Sequence, residues 1–287
     1  MTLEFPRLVG CDFSSAPSRK KTIVLAHGRL LNGRVMLLNL EHFSSLGSFS
    51  DWLVRPTPWL GVFDLPFGLP RELVETLGWP STWLACMTHY SQLSRAQIRQ
   101  EFSAFCNARP VGSKFAHRAT DRLAGSSPSM KWVNPPVAYM LHAGVPLLLK
   151  AGVILPGLHC PDHFSDANAG NLSLRVALEG YPGLLAREVL GSRSYKSDDR
   201  SKQTAERLIA RKDLITALEQ GNTRLNLRLK LTHAQRDTLA DDASGDSLDA
   251  VLCLMQAAWA QGRFEAGDTL YGLPPDLDTL EGWIVTA

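Results

Sequence analysis

Leu8-Val9-Gly10-Cys11-Asp12-Phe13 and Trp59-Leu60-Gly61-Val62-Phe63-Asp64-Leu65 are two apolar runs, each interrupted by one carboxylate. Apolar runs of this length, bounded by turn residues, read as buried strands. A carboxylate inside such a strand is costly unless a cation faces it. Asp12 and Asp64 are therefore the first candidates for a site. A third acidic feature, Asp246-Ser247-Leu248-Asp249, opens a late helical pattern. Carboxylates collected from distant elements are how proteins hold Mg²⁺ or Mn²⁺, hard cations that prefer oxygen ligands.

Working outward from the first run, Ser14 to Lys20 is a polar turn, Thr22 to His27 a second strand, Asn32-Gly33 a tight turn and Arg34 to Leu40 a third strand. Three antiparallel strands thus open the chain. A short helix over about Phe49 to Val54 leads to the strand Trp59 to Phe67. That strand is apolar on both faces apart from Asp64, so it is expected to be central, with helices on either side.

From about Pro70 to Asn171 the chain is rich in aromatics, prolines and histidines. Two helices are predicted there, near Ser94 to Asn107 and from Asn134 to about Ala143, with Asn134 as N-cap and Pro135 at the first helical position. We read residues 70–171 as a substrate-facing insertion within a single domain, 1–287. A strand over Ser173 to Tyr181 follows, then a basic segment and a helix from about Thr204 to Gln220 that Gly221 stops. In the last helix, about Asp246 to Gln261, Leu248, Val251, Leu252, Met255 and Trp259 recur at helical spacing and predict a core stripe. Asp246 and Asp249 flank that stripe three residues apart, close enough to reach one ion. The order of elements is that of an α/β chain with a mixed sheet.

The 287 residues carry a formal charge of +2, so a hold on nucleic acid has to come from a local patch. The five cysteines are odd in number, far apart and without a C-x-x-C pair, which argues against a disulfide framework and predicts a reduced, cytoplasmic setting. Val145 to Leu155 is cut by Pro146 and Lys150, and no segment reads as a signal peptide or membrane span.

Six short pieces in order resemble one family: Gly10-Cys11-Asp12-Phe13-Ser14, Asp64-Leu65-Pro66-Phe67-Gly68-Leu69-Pro70, Glu179-Gly180-Tyr181-Pro182, Tyr195-Lys196, Asp246-Ser247-Leu248-Asp249-Ala250 and Glu281-Gly282-Trp283-Ile284. The chain resembles the domain of unknown function 429, a family of predicted nucleases in the RNase H-like superfamily. The resemblance implies a five-stranded mixed sheet flanked by helices, with a large helical and irregular insertion between strands four and five. It also implies two divalent ions, Mg²⁺ or Mn²⁺, with Asp12 bridging both, Asp64 on one, and Asp246 and Asp249 on the other or shared between them. The closing D-x-x-D is most similar to the Holliday-junction resolvase branch. The implied activity is hydrolysis of DNA or RNA phosphodiesters, in which two ions activate a water and stabilise the leaving oxygen.

Each residue also has a plainer reading. A buried Arg or Lys would explain Asp12, a turn cap Asp64, and the helix dipole Asp246. Glu179, at a strand end, is a further candidate catalytic ligand or the partner of a nearby Arg. Arg118-Ala119-Thr120-Asp121 either pair internally or shape the cleft. Lys196 stands out from the basic stretch 187–212 as a phosphate contact, and Arg19, Lys20 and Lys21 are either phosphate contacts or surface turn. His159-Cys160-Pro161-Asp162-His163 has the spacing of zinc ligands but no second cluster to complete four. The nearest histidine to the last helix is His233. Two rival functions share the same core: a nucleotide phosphotransferase or ATPase of the actin type, which needs a second phosphate loop that this chain lacks, and a non-catalytic binding protein, which has no reason to keep mutually repelling acids.

Overall fold

The computed structural model describes residues 7–161 and 174–287. Six strands form one mixed sheet: β1 Leu8–Asp12, β2 Ile23–Leu31, β3 Arg34–Phe43, β4 Trp59–Asp64, β5 Arg175–Glu179 and β6 Arg228–Lys230, in the order β5-β4-β1-β2-β3-β6. β1, β2 and β3 are antiparallel, as the turn chemistry predicted, with Asn32 and Gly33 both at positive φ in the hairpin turn. β4 runs parallel to β1, and β5 parallel to β4. The expected five strands become six because Leu229 alone is buried in β6, whose Arg-Leu-Lys sequence is too short to carry a strand pattern.

Ten α-helices are found among the described residues. Helix α1 (Leu46–Leu53), α2 (Arg71–Thr76), α3 (Trp83–Gln92), α4 (Arg95–Asn107), α5 (Ala119–Ala124) and α6 (Val137–Lys150) precede β5; α7 (Pro182–Leu190), α8 (Ala205–Gln220), α9 (His233–Asp241) and α10 (Asp246–Glu265) follow it. The inserted stretch holds five helices where two were expected. It is not a lobe apart: Cys86, Phe102, Leu141 and Val145 from α3, α4 and α6 pack with Phe49 and Trp52 of α1 on the sheet residues Val9, Cys11, Ile23 and Phe63.

Helix α6 also corrects the sequence reading at both ends. Asn134 is not its N-cap and Pro135 is not its first residue; Pro136 occupies the cap and Val137 begins the helix. A residue preceding proline is disfavoured in helical conformation, so Pro135, followed by Pro136, is barred from it. The helix then runs through Pro146 to Lys150 instead of stopping near Ala143. An internal proline costs about 3 kcal/mol. Burying Leu141, Val145 and Leu148, each side chain stabilising by about 1.5–3 kcal/mol, outweighs it.

The other face of the sheet, Leu8, Val24, Ala26, Leu60, Val62, Val176 and Leu178, is covered by α7, α8 and α10. Every residue of α10 from Asp246 to Ala258 is buried, so the predicted single stripe understates it: the helix is wedged between the sheet and its neighbours, with Trp259 at the margin. It lies directly on β1. A Cβ on Gly10 would fall 2.0 Å from the Ala250 carbonyl oxygen and 2.1 Å from the Leu254 nitrogen, so only glycine allows this backbone-to-backbone approach.

Candidate metal centre

Strand periodicity builds the first half of the site. Leu8, Gly10 and Asp12 alternate onto the α10 face, as do Leu60, Val62 and Asp64. The parallel register pairs Asp12 with Asp64 at the C-terminal ends of two central strands. The first turn of α10 adds Asp249. Its N-cap is Gly245, at φ +79°, where a side chain would be strained and would strike the Lys196 stem. Asp12, Asp64 and Asp249 each bring a carboxylate oxygen within 4.8 Å of the others.

The remaining candidates do not join this trio directly. Asp246 receives the Lys21 ammonium at 2.6 Å, and Lys21 also donates to Asp198 at 2.9 Å. Glu179 is paired in register with Phe63, whose side chain faces the insertion side of the sheet, one residue out of phase with Asp64. There it meets the fully buried Arg118, which donates to Glu179 Oε1 at 2.6 Å and Oε2 at 2.8 Å, and to Asp121 at 2.8 Å. Glu179 Oε2 also accepts from the Phe67 amide at 2.9 Å. The Arg-paired alternative for Glu179 is thus the one with contacts, and Arg118 and Asp121 pair internally. Glu281, from the closing motif, accepts from the Arg71 and Ala119 amides and so fastens the N-termini of α2 and α5.

Lys196 donates to Asp249, and so does the Tyr195 hydroxyl. Tyr195 was not anticipated from sequence, although its place in the Tyr195-Lys196 pair was a signal. His233 is exposed on the first turn of α9 and is absent from the acid group. His159 stacks on Trp83, ring centroids 6.0 Å apart, while Asp162 and His163 lie outside the described residues. Among the described residues the three aspartates are the one cluster with metal-ligand spacing.

Electrostatically the site is short of positive charge. Four aspartates face two lysines. Asp12 is only 8 % exposed and accepts no hydrogen bond among the described residues; burial, and then Asp249 and Asp246, push its carboxyl well above the usual range. Burial, followed by the Asp249 charge, lifts Asp64 to about 7. Burial also raises Asp246, against the pull of Lys21. Burial alone would lower the Lys196 ammonium, but Asp249, Tyr195 and Asp12 together carry it well above its ordinary value. An oxygen-preferring divalent cation would relieve this repulsion. The unpartnered, buried Asp12 is the feature that calls for one, so the donor set fits Mg²⁺ or Mn²⁺.

Two cavities flank the acids. One, of about 300 Å³, is walled by Leu65, Pro66, Pro135, Val137 and Met140; the other, of about 210 Å³, is walled by α7 and by Arg187, Arg193 and Tyr195. Asp64, Tyr181 and Lys196 line both. No described helix is long and apolar enough to cross a membrane.

No curated protein and no solved structure matches the chain. A family model does, over residues 10–275, a span holding Asp12, Asp64, Lys196 and Asp249, and on that match the chain belongs to DUF429, described as a protein of unknown function.

Proposed function

We propose that this protein is a divalent-metal-dependent nuclease of RNase H-like fold, hydrolysing phosphodiester bonds of DNA or RNA. Buried, unpartnered Asp12 beside Asp64 and Asp249 carries the reading. A central β1 with antiparallel strands on one side and parallel strands on the other supports the fold assignment. Arg187, Arg193 and Lys196 line the smaller cavity, Arg193 paired with Asp213 and Lys196 with Asp249, so a polyanion drawn to these cations has to displace carboxylates to be held there.

Asp12, Asp64 and Asp249 would hold one ion. A second, between Asp12 and Asp246, requires Lys21 to release Asp246. When bound, the ions supply an activated water and charge stabilisation at the leaving oxygen. The chain's own groups do the rest. Tyr195 fixes the Asp249 carboxylate, and Lys196, the group now neutralising Asp249, is placed to donate its ammonium hydrogen bond to a phosphate oxygen instead, were a cation to neutralise that carboxylate. The Arg118–Glu179–Asp121 network holds β5, α5 and the loop after β4 around the cleft, a positioning role.

The test is cleavage of labelled single-stranded, duplex and branched DNA and RNA in Mg²⁺, Mn²⁺ or EDTA, comparing the native chain with Asp12→Asn. Metal-dependent cutting lost in the variant is expected. Cutting that survives in EDTA or in Asp12→Asn would refute the proposal.

A further inference from the structure

The two cavities beside the acids differ in a way that bears on the substrate. The smaller is basic. The larger has apolar walls and a floor made of Arg118 and Glu179, whose charges are committed to each other. With that pair neutralised, the charged groups left to the cavity are Asp64 and Lys196, which it shares with the smaller one, and the rest of its lining favours a flat, uncharged group. Its volume of about 300 Å³ is at the lower end of small-molecule sites.

Tyr181 lines both cavities and is held from two directions. Its amide donates to Gln256 Oε1 at 3.3 Å, and Gln256 is itself anchored to the Val285 carbonyl at 3.1 Å. The Tyr181 hydroxyl accepts from Arg187 at 2.9 Å, and the guanidinium lies 5.1 Å from the ring centroid. A clamped aromatic ring at a cavity wall is the usual platform for an unstacked base. Ser127 adds a hydroxyl to the lining of the same cavity, a group able to hydrogen-bond a base edge.

Resting on the nuclease reading above, we infer that the larger cavity is a nucleobase subsite: the nucleotide next to the cleaved phosphate enters it unpaired, against Tyr181. Asp64 and Lys196 belong to both cavities, so a phosphate held there lies within one nucleotide of the pocket. Bases of an intact duplex face one another and cannot enter. The substrate class is therefore single-stranded nucleic acid, or a junction or end with an unpaired base.

Binding in Ca²⁺, measured by fluorescence anisotropy, tests this without turnover. The probes are a labelled ten-nucleotide single strand, its blunt duplex, and the single strand made abasic at each position in turn. Single strand should bind more tightly than duplex, and one abasic position should weaken binding by about 5- to 150-fold, the range for loss of one aromatic-stacked base. Tyr181→Ala should show a similar loss and no further sensitivity to that abasic position, while Tyr181→Phe should retain native binding. The abasic series leaves the protein intact, so it stands even where a variant folds poorly. Equal binding of single strand and duplex with no sensitive position overturns the subsite and leaves the nuclease reading standing; no binding of any probe, with Asp12-dependent Mn²⁺ uptake intact, overturns both.

Discussion

Replacing Asp64 by asparagine should make the metal-free protein more stable, and the gain should depend on pH. Asp64 ionises near 3.8 when free of the fold and at about 7 within it, because of burial and the Asp249 charge. Between those values the folded chain holds more protons than the unfolded one, so stability falls as pH rises from about 4 through 7. A difference of about three pH units at about 1.4 kcal/mol each sets a ceiling near 4 kcal/mol above pH 7. Lys196 loses a favourable neighbour in the variant, so we expect roughly half the ceiling, about 2 kcal/mol. In urea, at about 3 kcal/mol per molar, the midpoint in EDTA at pH 8 should rise by about 0.7 M, and at pH 4 the two chains should coincide. Mn²⁺ should reverse the order at pH 8, since an ion at a hundred times its dissociation constant stabilises the chain that binds it by about 2.7 kcal/mol. A variant no more stable than native at pH 8, a gain independent of pH, or equal stabilisation of both chains by Mn²⁺ would refute the reasoning.

Arg118→Met should destabilise by about 3–5 kcal/mol, because it leaves Glu179 and Asp121 buried without their cation, and thermal unfolding should show a midpoint lowered by roughly 6 °C or more. Gly10→Ala should force α10 off β1, costing about 1–3 kcal/mol by overpacking and weakening Mn²⁺ binding through displacement of Asp249; unchanged Mn²⁺ affinity by calorimetry would show that the helix position does not govern the site. Lys196→Met should tighten Mn²⁺ binding, since the ion no longer competes with the ammonium for Asp249, while weakening binding of a single-stranded oligonucleotide. Loss of both together would contradict the role given to Lys196.

The outline of the sheet was legible because its strands are strongly patterned and its turns chemically explicit. Three antiparallel strands around Asn32-Gly33, the apolar β4 and the helix closed by Gly221 all follow from local chemistry. What escaped was short or context-dependent. β6 has one buried residue, α9 is largely exposed, and α7, which begins at Pro182 with Tyr181 as its cap, runs into the stretch where the basic residues drew the reading toward a solvated segment. The start of α6 was misplaced because the Asn-Pro signal for a cap was weighed without the second proline's effect on the first.

Within the site, the sequence by itself determined that Asp12 and Asp64 each close an apolar strand, where a carboxylate is costly without a cation. It also put Asp246 and Asp249 one turn apart. That Asp12 and Asp64 share a face comes from the parallel register of β1 and β4. Only the tertiary structure decided which acids meet. Asp249 reaches the strands because Gly10 lets α10 dock on β1; Asp246 is claimed by Lys21 from 225 positions away, and Glu179 by Arg118 across 61. The division has one physical cause: periodicity is a property of the local backbone, whereas the partner of a buried charge is whichever opposite charge the packing of remote elements brings within a hydrogen bond.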